Sequence, residues 1–300
     1  VVLDIGLASD TISPTAGEIL EITLEGKLKQ VLVSDQNYPD GIDIDYESGR
    51  MFWTTMGVPG KDDGSVYSAK TDGTDVRQIV PVGAVNTPKQ LVVVTEHKKI
   101  YFCDREGLRV FRCNYDGSSL GLLIDNRGSG FSQEAPDHSK WCVGITVSPK
   151  LGKFFWTQKG VSKGGKGRIF TANIEMPVGQ TPKTRDDVKC LVAGLPEPVD
   201  LELEEETLQL YWTDRGELPF GNTLNRVQLT KSGLLMEASQ KHEVLTKHLH
   251  EAIGLKLDTK NGHIYMTDLG GSIYQCDLEG KKKKVIYSDE TRAFTGISLL

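Results

Sequence analysis

The chain has 300 residues, with 35 basic against 41 acidic side chains and a formal net charge of −6. That mild acidity argues against nucleic acid or an anionic membrane as the main partner, and no run approaches the roughly 18 apolar residues of a membrane span. Length alone permits one domain or two.

In chain order, Val1-Val2-Leu3-Asp4-Ile5-Gly6 reads as a strand, and Ile19-Leu20 leads into the tight turn Glu25-Gly26. A fuller unit follows: Gly41-Ile42-Asp43-Ile44, then Phe52-Trp53-Thr54-Thr55, then Val66-Tyr67 ending at Asp72-Gly73, then Val76 to Val80. The first strand of this unit recurs at Gln90, Gly144, Asp200, Gly254 and Gly296. The second recurs as Tyr101-Phe102-Cys103-Asp104, Phe155-Trp156-Thr157-Gln158, Tyr211-Trp212-Thr213-Asp214 and Tyr265-Met266-Thr267-Asp268. Third strands end at Asp116-Gly117 and Glu279-Gly280, pairs that supply the positive φ of a tight hairpin.

First strands beginning at 41, 90, 144, 200, 254 and 296 give steps of 49, 54, 56, 54 and 42 residues. A period of roughly 40 to 55 with several short strands per unit marks a β-propeller. The spacing predicts an all-β fold: a six-bladed β-propeller of four-stranded antiparallel blades, one domain spanning residues 1–300. The sixth copy, Gly296 to Leu300, stops before its partner strand, and Val1 to Gly6 aligns with Phe52 to Gly57. The C-terminal strand is therefore expected to pair with the N-terminal strands and close the ring, leaving no long sheet edge.

These repeats resemble the YWTD six-bladed propeller family, a fold also found in the low-density-lipoprotein receptor, over essentially the whole chain. The resemblance implies that Trp53, Trp156 and Trp212 pack between blades, and Cys103, Gln158 and Met266 mark a divergent member. A fold of this kind hosts many activities.

Five cysteines and no Asn-x-Ser/Thr sequon point towards an intracellular protein. Cys113 and Cys276 share a repeat position with Ile22 and Ala69 and read as core thiols, while Cys142 and Cys190 are not favoured as a disulfide. Gly160 to Gly167 lacks the Ser/Thr and the helix of a phosphate loop, and Gly117-Ser118-Ser119-Leu120-Gly121 lacks the setting of a nucleophile elbow. Neither Cys-x-x-Cys nor His-Glu-x-x-His occurs, His248 and His250 read as solvated, and Lys281 to Lys284 as a charged hairpin turn.

The hairpins joining first to second strands are short and polar. The opposite face carries the crossing loop Ser9 to Pro14 and the longer connections at 125–141, 157–167 and 214–222, and long loops on a rigid scaffold serve binding or catalysis. A pocket is expected there, at the channel mouth. Tyr38, Trp141, Phe220 and Phe294 are expected to enclose an apolar ligand, with Asp40, Gln90, His250 and Glu251 binding its polar groups. Arg215, Arg292 and Lys89 are the candidate catalytic donors.

Stand-alone propellers of this size also resemble fungal natural-product enzymes, among them hetero-Diels-Alderases. That resemblance implies a cyclisation without metal or other cofactor: Arg or Lys polarises a carbonyl, and the pocket holds a small apolar molecule in a reactive geometry. The chain is expected to act as a monomer. One alternative is a calcium-dependent lactonase with oxygen ligands from Asp40, Gln90, Asp200 and Glu251, although Asp40 and Asp200 are offset by one in the repeat. Another is a non-catalytic propeller that binds protein.

Overall fold

The computed structural model describes residues 1–7, 13–132, 137–236 and 241–300. Residues 9–12 of the first crossing loop and 133–136 of the connection at 125–141 lie outside the described residues. Strands β1 (Val2–Asp4), β2 (Gly17–Ile22) and β3 (Leu28–Gln36) come first. Blade one is β4 (Pro39–Asp45), β5 (Arg50–Thr55), β6 (Ser65–Lys70) and β7 (Arg77–Val80); blade two is β8 (Pro88–Val94), β9 (Lys99–Asp104), β10 (Arg109–Asn114) and β11 (Gly121–Asp125). Blade three is β12 (Cys142–Ser148), β13 (Lys153–Gln158), β14 (Gly167–Asn173) and β15 (Lys189–Leu195). Blade four is β16 (Pro198–Glu204), β17 (Gln209–Asp214), β18 (Thr223–Gln228) and β19 (Glu243–Thr246). Blade five is β20 (Ala252–Asp258), β21 (His263–Asp268), β22 (Ser272–Asp277) and β23 (Lys284–Ser288). β24 (Phe294–Ile297) pairs with β1, so blade six has the order β24-β1-β2-β3.

All six sheets are four-stranded and antiparallel. One register repeats around the ring: Ile42 faces Trp53, Leu91 faces Phe102, Ile145 faces Trp156, Leu201 faces Trp212, Leu255 faces Met266, and Ile297 faces Val2. The alignment of Val1–Gly6 with Phe52–Gly57 is thus the one the chain adopts. The hairpin glycines Gly26, Gly73, Gly117 and Gly280 all have φ between 70° and 84°.

The motif letters have separate physical jobs. Trp53, Trp156 and Trp212 are fully buried between blades, and Trp156 stacks between Phe154 and Phe170 at 5.1 and 5.4 Å. The threonine reaches the neighbouring blade. Thr213 Oγ1 donates to the Ile253 carbonyl at 2.6 Å and accepts from the Asp200 N–H at 3.2 Å; Thr54 and Thr157 do the same for Lys89 and Val199. Cys103 substitutes with Sγ–H to the Gly144 carbonyl at 3.3 Å. The aspartate ties down the loop that enters its own blade: Asp104 accepts from the Asn86 and Thr87 N–H groups and Asp214 from that of Glu197, while Asp214 also holds the Gly216 N–H in the connection that leaves its strand. These bonds satisfy buried backbone groups that no sheet ladder reaches.

All five cysteines are free thiols. Cys113 and Cys276 lie in the blade cores, where burial pushes their pKa up to about 12 and keeps them as unreactive thiols. Among the described residues no helix is long and apolar enough to cross a membrane.

Candidate functional site

Repetition builds the channel mouth from three columns of six residues. The residue after each motif aspartate position donates its N–H to the carbonyl of the residue preceding the innermost strand of its own blade. Met56 bonds Tyr38, Arg105 bonds Thr87, Lys159 bonds Trp141, Arg215 bonds Glu197, Leu269 bonds Glu251, and Ile5 bonds Ala293. One layer deeper lie Asp40, Lys89, Val143, Val199, Ile253 and Thr295, each two positions before the residue that faces the motif aromatic. Val143, Val199 and Ile253 pack together with Leu269 and fill one side of this layer.

The other side opens into a cavity of about 280 Å3. Ile5, Leu7, Met56, Pro59, Ile253 and Leu269 supply apolar wall, and Tyr38, Asp40, Thr87, Lys89, Arg105, Arg215 and Thr295 supply polar groups. Lys89 and Asp40 form a salt bridge, with side chains 9% and 1% exposed. Lys89 Nζ also touches Met56 Sδ at 3.0 Å. Burial lowers the Lys89 pKa to about 8, with Asp40 opposing and Arg105 assisting the shift. Gln90 donates to Asp40 Oδ1 at 3.1 Å from the layer behind.

A charged girdle runs above the cavity. Trp141 lies between Arg105, 5.0 Å from its ring centre, and Lys159, 5.2 Å away, with His138 tilted against it at 4.0 Å. Lys159 pairs with buried Glu197. Arg215 spans Glu197 at 3.7 Å and Glu251 at 2.7 Å, and Glu251 meets Lys163 at 3.3 Å. Burial lowers the pKa of Lys159; for Glu197 burial acts to raise it, but Lys159 and Arg215 prevail and hold the carboxyl below its ordinary value. Further along the innermost strands, Lys256 bridges Asp43 at 2.9 Å and Glu202 at 2.8 Å. Burial drives Asp200 beside it well above the usual carboxylate range.

Of the residues singled out from sequence, Tyr38, Asp40, Lys89 and Arg215 line the cavity together. Gln90, Glu251 and Trp141 contact lining residues from behind or above. His250 is exposed, its N–H bound to Asp268 and its ring against Gly270. Three expectations need correction. Phe294 is fully buried in the blade-six core, because it occupies the same strand position as Pro39, Pro88, Cys142, Pro198 and Ala252, which face into the blades. Arg292 is held at 2.7 Å by Asp4 and 2.8 Å by Glu18 within blade six, away from the cavity lining. Phe220 is 63% exposed and faces a separate groove bordered by Leu191, Val227 and Val244.

Sequence reasoning passed over Ile253, Thr295, Met56, Ile5 and Leu269 as lining residues. Register was the available signal, since Ile253 and Thr295 share the column of Asp40 and Lys89.

The calcium alternative fits poorly. Asp40 is committed to Lys89, Glu251 to Arg215 and Lys163, and Asp200 to the Leu201 and Leu255 N–H groups. Among the described residues no three His, Cys, Asp or Glu side chains are grouped to hold a metal.

No family model matches the chain. A 3-hydroxyacyl-CoA dehydrogenase-like protein, LAM1 of Cochliobolus heterostrophus, is 47% identical over 302 residues, 99% of this chain, and the chain spans 64% of that relative's length. A protein of Pyricularia oryzae named low-density lipoprotein receptor-related protein 1 is 41% identical over 305 residues, covering 100% of this chain and 97% of its own. Among solved structures, a chain of a nidogen/laminin complex superposes with a TM-score of 0.69 at 17% identity, covering 98% of this chain and 96% of that one. The calcium-binding protein regucalcin of Agrobacterium tumefaciens gives 0.59 at 18% identity over 86% and 76% of the two chains. A gluconolactonase of Xanthomonas campestris gives 0.58 at 14% over 86% and 78%. At such identities the likeness is one of fold. With 41% identity over nearly the full length of both sequences, the chain belongs to the family of the Pyricularia oryzae low-density lipoprotein receptor-related protein 1, built on a six-bladed propeller.

Proposed function

We propose that the channel mouth binds a small molecule with an apolar body and a carbonyl oxygen, and promotes its conversion, most simply by cyclisation. The carrying observation is the Lys89–Asp40 pair. In a layer otherwise made of Val143, Val199, Ile253 and Thr295, it places an ammonium and a carboxylate against a cavity with apolar walls. A buried ion pair is rarely the most stable filling for such a position, so its presence supports a chemical role. Lys89, Arg105 and Arg215 would polarise the carbonyl, a contribution that grows as water is excluded. Ile5, Leu7, Met56 and Leu269 would hold the hydrocarbon portion in a reactive conformation.

The test is thermal unfolding in the presence of a panel of apolar conjugated ketones and quinones. A ligand at 100-fold over its Kd stabilises by about 2.7 kcal/mol, a readily measured upward shift. Ile253→Trp fills the cavity and removes the shift. A panel that leaves the wild-type protein unshifted at millimolar concentration refutes the reading.

A further inference from the structure

We infer that Lys89 is a nucleophile that forms an imine with an aldehyde or ketone held in the cavity. This rests on the carbonyl-binding reading above and adds covalent chemistry to it.

Four features of Lys89 carry the inference. It lines the cavity, so a carbonyl carbon seated there is within reach of Nζ. Its partners among the described residues are Asp40 and the thioether of Met56, and a thioether is a weak acceptor that makes little demand for a positive charge. Among the described residues Asp40 is the one carboxylate lining the cavity, directly against Nζ, where it can take the ammonium proton. Apart from Asp40, its partner, the equivalent positions in other blades are apolar or, at Thr295, neutral, so the rest of the layer does not call for an amine. Burial supports the same conclusion, since it lowers Lys89 to about 8 and leaves a substantial fraction as free amine near neutral pH.

The step balances within this pair. Lys89 passes a proton to Asp40 and becomes an amine. Its lone pair forms the N–C bond as the carbonyl π pair moves to oxygen; that oxygen takes the proton from Asp40, and the nitrogen returns one to it. The resulting carbinolamine hydroxyl takes this proton and leaves as water while the nitrogen lone pair closes the C=N bond. The products are an iminium on Lys89, a carboxylate on Asp40 and one water. An iminium withdraws electrons from a conjugated chain more strongly than the neutral carbonyl, which favours both cyclisation and loss of an α-proton.

The experiment exposes the protein to benzaldehyde at pH 7.5, reduces with borohydride and maps the adduct by peptide mass spectrometry, alongside thermal unfolding with benzaldehyde. We expect benzylation of Lys89 at least tenfold above that of exposed Lys260, with the ratio falling as pH approaches 10.5, where surface amines also lose their protons. Lys89→Arg keeps a cation beside Asp40 and should lose the adduct together with the part of the thermal shift that the covalent bond contributes. If benzaldehyde stabilises the protein but Lys89 labels no more than Lys260, the imine is refuted and non-covalent binding stands. If it neither stabilises nor labels, both fall.

Discussion

Replacing Asp40 and Lys89 together by valine, the residue that Val143 and Val199 place in the same layer, should leave the propeller at least as stable as the original. With Asp40 present, Lys89 still titrates at about 8 against an ordinary 10.5. Burial, assisted by the Arg105 charge, thus outweighs the pairing for the charged lysine, by an amount on the order of a few kcal/mol. The double variant removes this penalty and leaves no polar atom stranded, because Gln90 Nε2 also donates to the Asp40 backbone carbonyl at 3.1 Å. Each single variant instead strands a buried charge and should lose about 3–5 kcal/mol. Urea unfolding at pH 7 measures all four proteins. The pH dependence supplies a second readout. A lysine whose pKa is lowered on folding withholds stability below its folded pKa and returns it as pH rises from about 8 to 10.5. The original protein should therefore gain stability across that window relative to the double variant. A double variant that loses as much as the two single variants combined would refute the reasoning, and would make the ion pair a stabilising element that needs no functional explanation.

Two further outcomes test the frame around the cavity. Thr213→Val strands the Ile253 carbonyl and the Asp200 N–H and should destabilise by about 2–5 kcal/mol in urea unfolding, with Thr213→Cys recovering part of the loss as Cys103 does naturally. Gly296→Ala places a Cβ 2.6 Å from the Asp40 carbonyl oxygen and 2.9 Å from the Ile42 nitrogen, so it should lower stability by about 1–3 kcal/mol, whereas Gly130→Ala, with open space around it, should be neutral.

The ring was legible in the sequence because its determinants are local and repeated. A Trp or Phe set a fixed distance after an Ile or Leu, and Asp-Gly at a hairpin, carry the same signal in several registers at once. The cavity was legible only in part. Asp40 and Lys89 announce themselves as charges in an apolar column. Phe294 does not announce that it lies one position off that column, because the irregular pairing between Pro39 and Ile42, repeated in other blades, changes which side chains face the channel. Arg292 and Arg215 look alike in sequence. They part company in space because Asp4 and Glu18, far away along the chain, capture the first.

Blade six joins β24 to β1, and the cavity draws Ile5 and Leu7 from one side of that junction and Thr295 from the other. A molecule seated there acts as a keystone: it touches both flanks of the joint that closes the ring. Occupancy and closure then share one equilibrium, since whatever binds the closed form alone also holds it closed. Transient parting of β24 from β1 would loosen the wall of the cavity.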